Sequence, residues 1–154
     1  MKTVSYKTWE QNINEFIRKK KNVIYGARAL NANLSPLLKR HTNDFDVWSR
    51  KPRAHAEELA KELGQERYHV KRVQLPTGKF VYRVYHKSGQ LTADFTRIPS
   101  KEKYFFKYGI RYQTLMHQKE RLEEILSDTT KRYRHLKAQM DLNKINYYLR
   151  QLEE

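Results

Sequence analysis

The sequence predicts an α+β architecture: a small mixed sheet of about five strands, flanked by helices and ending in a helical tail. Between Arg67 and Phe95, apolar and polar residues alternate in three runs, YHVKRVQL, KFVYRVYH and LTADFT, separated by the turn residues TG and KSGQ. That alternation and those turns describe an antiparallel meander of half-exposed strands. Before and after it, apolar residues recur every three to four positions, the spacing of helices buried along one side. Two short runs, NVIYG and DFDVWS, supply one further strand each.

Taken in chain order, KTWEQNINEFIRKK places Trp9, Ile13, Phe16 and Ile17 at helical spacing and ends in bases, which suit a helix C-terminus. NVIYG is a strand stopped by Gly26, and ARALNANLSPLLKR offers helix formers until Pro36 interrupts them. DFDVWS is the second strand, and KPRAHAEELAKELG a helix that starts near Pro52 and stops at Gly64. The meander is followed by RIPSKEKYFFKYG. Helical spacing then returns in YQTLMHQKERLEEILS and in TTKRYRHLKAQMDLNKINYYLRQLEE, where Leu136, Met140, Ile145, Tyr148 and Leu149 form the expected apolar stripe. No internal repeat or low-complexity linker divides the chain, so residues 1–154 are expected to form one domain.

Composition narrows the chemistry. The 154 residues hold 32 Lys and Arg against 17 Asp and Glu, a net charge of +15, which points to phosphate as the partner, in nucleic acid or nucleotide. A lysine-rich surface suited to heat or solubility is the competing reading of the same number. There is no cysteine, which excludes disulfides, thiolate metal sites and a thiol nucleophile, and fits a reducing cytoplasm. No apolar run is long enough to cross a bilayer. The chain is therefore expected to be soluble and cytoplasmic, with no membrane contact. HAEEL is not a zinc-binding HExxH, and the sequence holds neither a G-x-S-x-G elbow nor a Walker phosphate loop. His55 and His86 are expected at the surface.

The stretch HTNDFDVWS carries the most chemistry. Strand side chains alternate, so Asp44 and Asp46 share a face about 7 Å apart while Phe45 and Val47 point into the core. Two carboxylates aimed together repel, and a hard divalent cation, Mg²⁺ or Mn²⁺, relieves that repulsion. Asp94, between Ala93 and Phe95, is the third acid expected on the polar side. In a two-metal centre Asp44 and Asp46 would bridge the ions while Asp94 holds one and assists deprotonation of an attacking hydroxyl. Gly26 either lets a backbone approach a phosphate or simply turns the chain. Arg28 is a phosphate ligand or a solvated charge. Lys71, Arg72, Lys79, Arg83 and Lys87, interleaved with Tyr82 and Tyr85, either track a nucleic-acid backbone or protect a sheet edge. Lys131, Arg132, Arg134 and Lys137 could hold a triphosphate tail or an acceptor strand, although Arg132 and Lys137 do not share a helical face.

Together, VIYGARALN, HTNDFDVWS and LTADFTRIP resemble the nucleotidyltransferases of the DNA polymerase beta superfamily: an apolar strand ending in glycine, a strand with paired acids, then a third acid. The resemblance covers residues 20–98 as a catalytic core, and residues 110–154, with GIRYQTLMHQKERLEEILSD and RYRHLKAQMDLNKI, are similar to the helical tail of small members. It implies a two-metal transfer of a nucleotidyl group from a nucleoside triphosphate to a hydroxyl. Asp44, Asp46 and Asp94 would be the catalytic, metal-binding acids, with Gly26, Ala27 and Arg28 at the nucleotide. Where relatives carry Gly-Gly or Gly-Ser this chain has Gly26 and Ala27, so Arg28 would replace the missing hydroxyl. The long gap before Asp44 would hold a longer helix through LNANLSPLLKRHT. Two rivals remain: a basic nucleic-acid-binding protein on the same fold without turnover, and a metal-dependent nuclease. A protein partner that brings the acceptor is compatible with the sequence, and no residue identifies one.

Overall fold

The computed structural model of the chain describes residues 8–34, 42–100 and 103–153. Helix α1 (Trp9–Lys20) starts where the Thr8 hydroxyl accepts from the Gln11 backbone and the Gln11 side chain returns the bond to Thr8, a reciprocal cap. It buries Ile13, Phe16 and Ile17. Strand β1 (Val23–Tyr25) leads through Gly26 into α2 (Ala27–Asn33). Residues 35–41, where a longer helix was expected, lie outside the described residues. Then come β2 (Phe45–Ser49) and α3 (Pro52–Gly64), with proline in the first turn. The meander follows as β3 (Tyr68–Gln74), β4 (Phe80–His86) and β5 (Leu91–Arg97).

The sheet has seven strands, not five. A hairpin of β6 (Tyr104–Lys107) and β7 (Ile110–Gln113) occupies the end of RIPSKEKYFFKYG, to which the sequence assigned no element, and the start of the expected helix. Its two turn residues, Tyr108 and Gly109, have φ of 53° and 77°, the pair of left-handed conformations that a tight type I′ hairpin requires. Tyrosine is an unusual first residue there, and each arm is only four residues long, so the sequence signal was weak. Because β7 takes Tyr112 and Gln113, helix α4 (Leu115–Ser127) begins later than expected, capped by the Thr114 hydroxyl.

Strand order is β3-β4-β5-β2-β1-β7-β6. Strand β2 lies parallel to β5 and antiparallel to β1, which in turn runs parallel to β7. One face packs on α1 and α3 through Phe16, Ile24, Phe45, Val47, Leu59, Val84 and Phe95, all buried. On the other face α4 reaches Trp48, whose ring lies 5.7 Å from that of His117.

A 3-10 turn (Thr129–Arg134) separates α4 from α5 (His135–Glu153), so the predicted single helix from residue 129 is broken. The buried side of α5 is Ala138, Leu142 and Ile145, with Tyr148 and Leu149 partly covered. Leu136 and Met140, assigned to that stripe from sequence, are instead 78% and 56% exposed. No helix among the described residues is long and apolar enough to cross a membrane.

Candidate active site

One row of paired residues crosses five strands on the face opposite α1 and α3. In register it reads Lys71, Arg83, Asp94, Asp46, Tyr25. Directly paired residues project to the same side of a sheet, so the two central acids stand side by side between bases on β3 and β4 and a tyrosine on β1. Core packing fixes this orientation: Phe45, Val47, Ala93 and Phe95 fill the opposite face completely, which turns Asp46 and Asp94 outward together.

Asp44 lies in the bend just before β2 rather than within it. Its position is held by Arg28. The guanidinium donates to the backbone carbonyls of Asp44 (2.9 Å), Asn43 (3.2 Å) and Thr42 (3.4 Å) and pairs with Glu10 at 3.2 Å. It also stacks over the Phe45 ring at 3.6 Å. With its side chain 14% exposed, Arg28 is no solvated charge.

Gly26 is demanded twice. Its φ of 72° with ψ of −143° is a conformation open only to glycine. A Cβ there would also sit 2.5 Å from an Asp46 carboxylate oxygen. The turn that ends β1 is thereby pressed against the acid, and Gln118 of α4 fixes it further by donating to the Gly26 carbonyl at 3.0 Å.

Burial, then the nearby charges of Asp44 and Asp94, push the Asp46 carboxyl up to about 7, while Lys137 and Arg134 pull the other way. Asp94 is also raised, by burial first, with Arg83 opposing. Burial and then Asp46 raise Tyr25 too, and its hydroxyl shares a hydrogen bond with Thr96 at 3.1 Å. Its ring stacks on Trp48 at 4.6 Å.

The bases fall on different sides. Lys71 and Arg83 belong to the acid row, with Arg83 Nε 3.4 Å from Asp94 Oδ2. Arg72 projects to the other face, 4.6 Å over the Phe80 ring and beside Arg53 and Glu57 of α3. Arg134 and Lys137 act on Asp46 across space, whereas no interaction joins the exposed Arg132 to the acids among the described residues. Sequence reading missed Arg121 and Gln118. Arg121 lies 5.7 Å over Trp48 and lowers Tyr25 electrostatically. Nothing in the periodicity of α4 marks these two, because tertiary packing alone brings α4 over β1 and β2. His55, expected at the surface, is half-buried and bonds the Ser49 hydroxyl at 2.6 Å.

The residues fit a hard divalent cation in part. All the donors are carboxylate oxygens, and Asp94 Oδ1 is buried without a hydrogen-bond partner. Among the described residues, however, no three acid, histidine or cysteine side chains converge closely enough to enclose an ion. Mg²⁺ commonly takes one or two carboxylates and completes its shell with water and substrate phosphate. The arrangement suits that kind of site rather than a closed protein cage.

The seven-stranded mixed sheet and the helices beside it make an α+β fold that a solved structure shares. The structure is similar to that of the Megavirus polyadenylate synthase, with a TM-score of 0.70 and 23% identity over 92% of this chain and 31% of that one. This chain therefore spans less than a third of that protein's length. JHP933 from Helicobacter pylori is matched at a TM-score of 0.48 and 14% identity, over 80% of this chain and 56% of that one. No family model matches the chain, and no curated protein matches it in sequence.

Proposed function

We propose that the protein is a metal-dependent nucleotidyltransferase, transferring a nucleotidyl group from a nucleoside triphosphate to a hydroxyl of a nucleic acid in the cytoplasm. The observation that carries this reading is the direct pairing of Asp46 with Asp94 across β2 and β5, with Asp44 two residues before Asp46 in the adjoining bend and the bases Arg83, Arg134 and Lys137 near them. The likeness to a polyadenylate synthase supports a nucleic-acid acceptor.

Asp44 and Asp46, with Asp94, would hold Mg²⁺ or Mn²⁺, which when bound offsets charge on the phosphates and acidifies the attacking hydroxyl. Asp94 takes the hydroxyl proton. Arg134 and Lys137, which already act electrostatically on Asp46, neutralise the triphosphate, and Arg121 extends that positive wall. The backbone of Gly26 and Ala27 borders the phosphates. Arg28 contributes by fixing Asp44, since its donors are committed to the 42–44 backbone. Lys71 and Arg83 continue the row toward the acceptor strand.

The test is primer extension with each nucleoside triphosphate and Mg²⁺ or Mn²⁺, monitored together with pyrophosphate release. Wild type should extend an oligonucleotide, and Asp94→Asn should lose about 100-fold or more. The double variant Asp44→Asn/Asp46→Asn should be inactive and lose metal-dependent triphosphate binding. Metal-dependent cleavage without triphosphate would replace the proposal with a nuclease. Oligonucleotide binding without either reaction would leave only a binding protein.

A further inference from the structure

The edge hairpin β6–β7 carries three exposed aromatic side chains in five residues: Tyr104 at 41%, Phe106 at 59% and Tyr108 at 88% exposure. Tyr104 and Phe106 meet edge to face, 5.7 Å apart at 85°. The Arg111 guanidinium lies 5.5 Å from the Tyr104 ring and 4.8 Å from that of Phe106. Lys107 Nζ is 5.9 Å over the Tyr108 ring and is anchored on the Ala32 carbonyl at 3.1 Å. On the opposite side of the hairpin Tyr112 packs against the core, with the half-buried Phe105 ring 5.9 Å from it.

Register gives the platform a direction. Phe106 pairs with Arg111, Arg111 with Val23 and Val23 with Trp48, so these rings project from the face that bears the acids. Three strand spacings separate β6 from β2, roughly 15 Å. Among the described residues Arg111 makes no ion pair, so its charge is held in place by the rings and left open to an anion.

We propose that the β6–β7 hairpin is a stacking platform for single-stranded nucleic acid, with bases on Phe106 and Tyr104 and a phosphate on Arg111. Exposed aromatic faces accept any base, and an interleaved arginine tracks the backbone. The +15 charge of the chain matches a polyanion rather than an apolar partner. Binding here needs neither metal nor triphosphate, so it stands or falls separately from the transfer reaction.

The experiment is fluorescence anisotropy on the full chain in chelator. The probes are a short oligoadenylate and an abasic phosphodiester of the same length. Wild type should bind the oligoadenylate more tightly than the abasic strand. Phe106→Leu/Tyr104→Leu should weaken oligoadenylate binding roughly 10-fold and leave abasic binding unchanged, while Phe106→Tyr retains it. Arg111→Gln should weaken both strands and reduce the salt slope by about 0.7. Equal wild-type affinity for the two strands, or undiminished oligoadenylate binding by the double leucine variant with circular dichroism unchanged, would overturn the proposal.

Discussion

Asp46 ties the chemistry of the site to the stability of the chain. Its carboxyl holds a proton up to about pH 7 in the fold, against a usual value of 3.8. Between those two values the folded chain binds a proton that the unfolded chain has released, so stability falls as pH rises through that window. Each tenfold difference in proton affinity is worth about 1.4 kcal/mol. In chelator, Asp46→Asn is therefore expected to be more stable than wild type near pH 8 by roughly 2–4 kcal/mol. Near pH 4, where both side chains are neutral, the two proteins should be alike. Urea unfolding at the two pH values checks this, and parallel pH profiles would contradict it. The direction of the acids was legible from alternation alone, because Phe45, Val47, Ala93 and Phe95 leave them one side to occupy. The same rule, applied to RYHVKRVQ, already separates Lys71 from Arg72. By contrast, the anchoring of Asp44 by Arg28 depends on contacts across sixteen positions, which no local pattern records.

At the scale of elements, α5 shows how a helix with apolar residues on two sides misleads a periodicity argument. Leu136 precedes Ala138 by two positions, about 200° around the helix, so a stripe drawn through both Leu136 and Ile145 mixes opposite faces. Packing chose the face with Ala138, Leu142 and Ile145, where a small residue lets the helix approach α4. Ile145→Ala should accordingly cost about 2–5 kcal/mol, whereas Leu136→Gln should change stability by less than about 0.5 kcal/mol. Thermal and urea unfolding of the two variants distinguish them; a large loss from Leu136→Gln would mean that this side of α5 is covered. The β6–β7 hairpin escaped notice for a different reason. Its turn relies on Tyr108 in a left-handed conformation, where asparagine is the residue that usually announces such a turn.

For the whole molecule, the α+β class was readable because the meander and the flanking helices differ so plainly in period. Strand order was not readable: β5 lies beside β2 rather than on the edge, and β7 returns to lie beside β1. These are pairings between distant segments, set by which faces the helices cover. Net charge acts at this scale too. Nucleic-acid affinity should fall with salt by about 0.7 log units per decade for each phosphate neutralised on a single strand, and a salt-independent affinity would show that the +15 charge serves some other purpose. The same field imposes an order of events on the proposed transfer. If that proposal holds, a free divalent cation would be repelled by the net positive charge of the chain, whereas a triphosphate with its cation, a net anion, would be attracted. The nucleotide would then be the carrier of its own metal, and added salt should ease the arrival of the naked ion while slowing that of the complex.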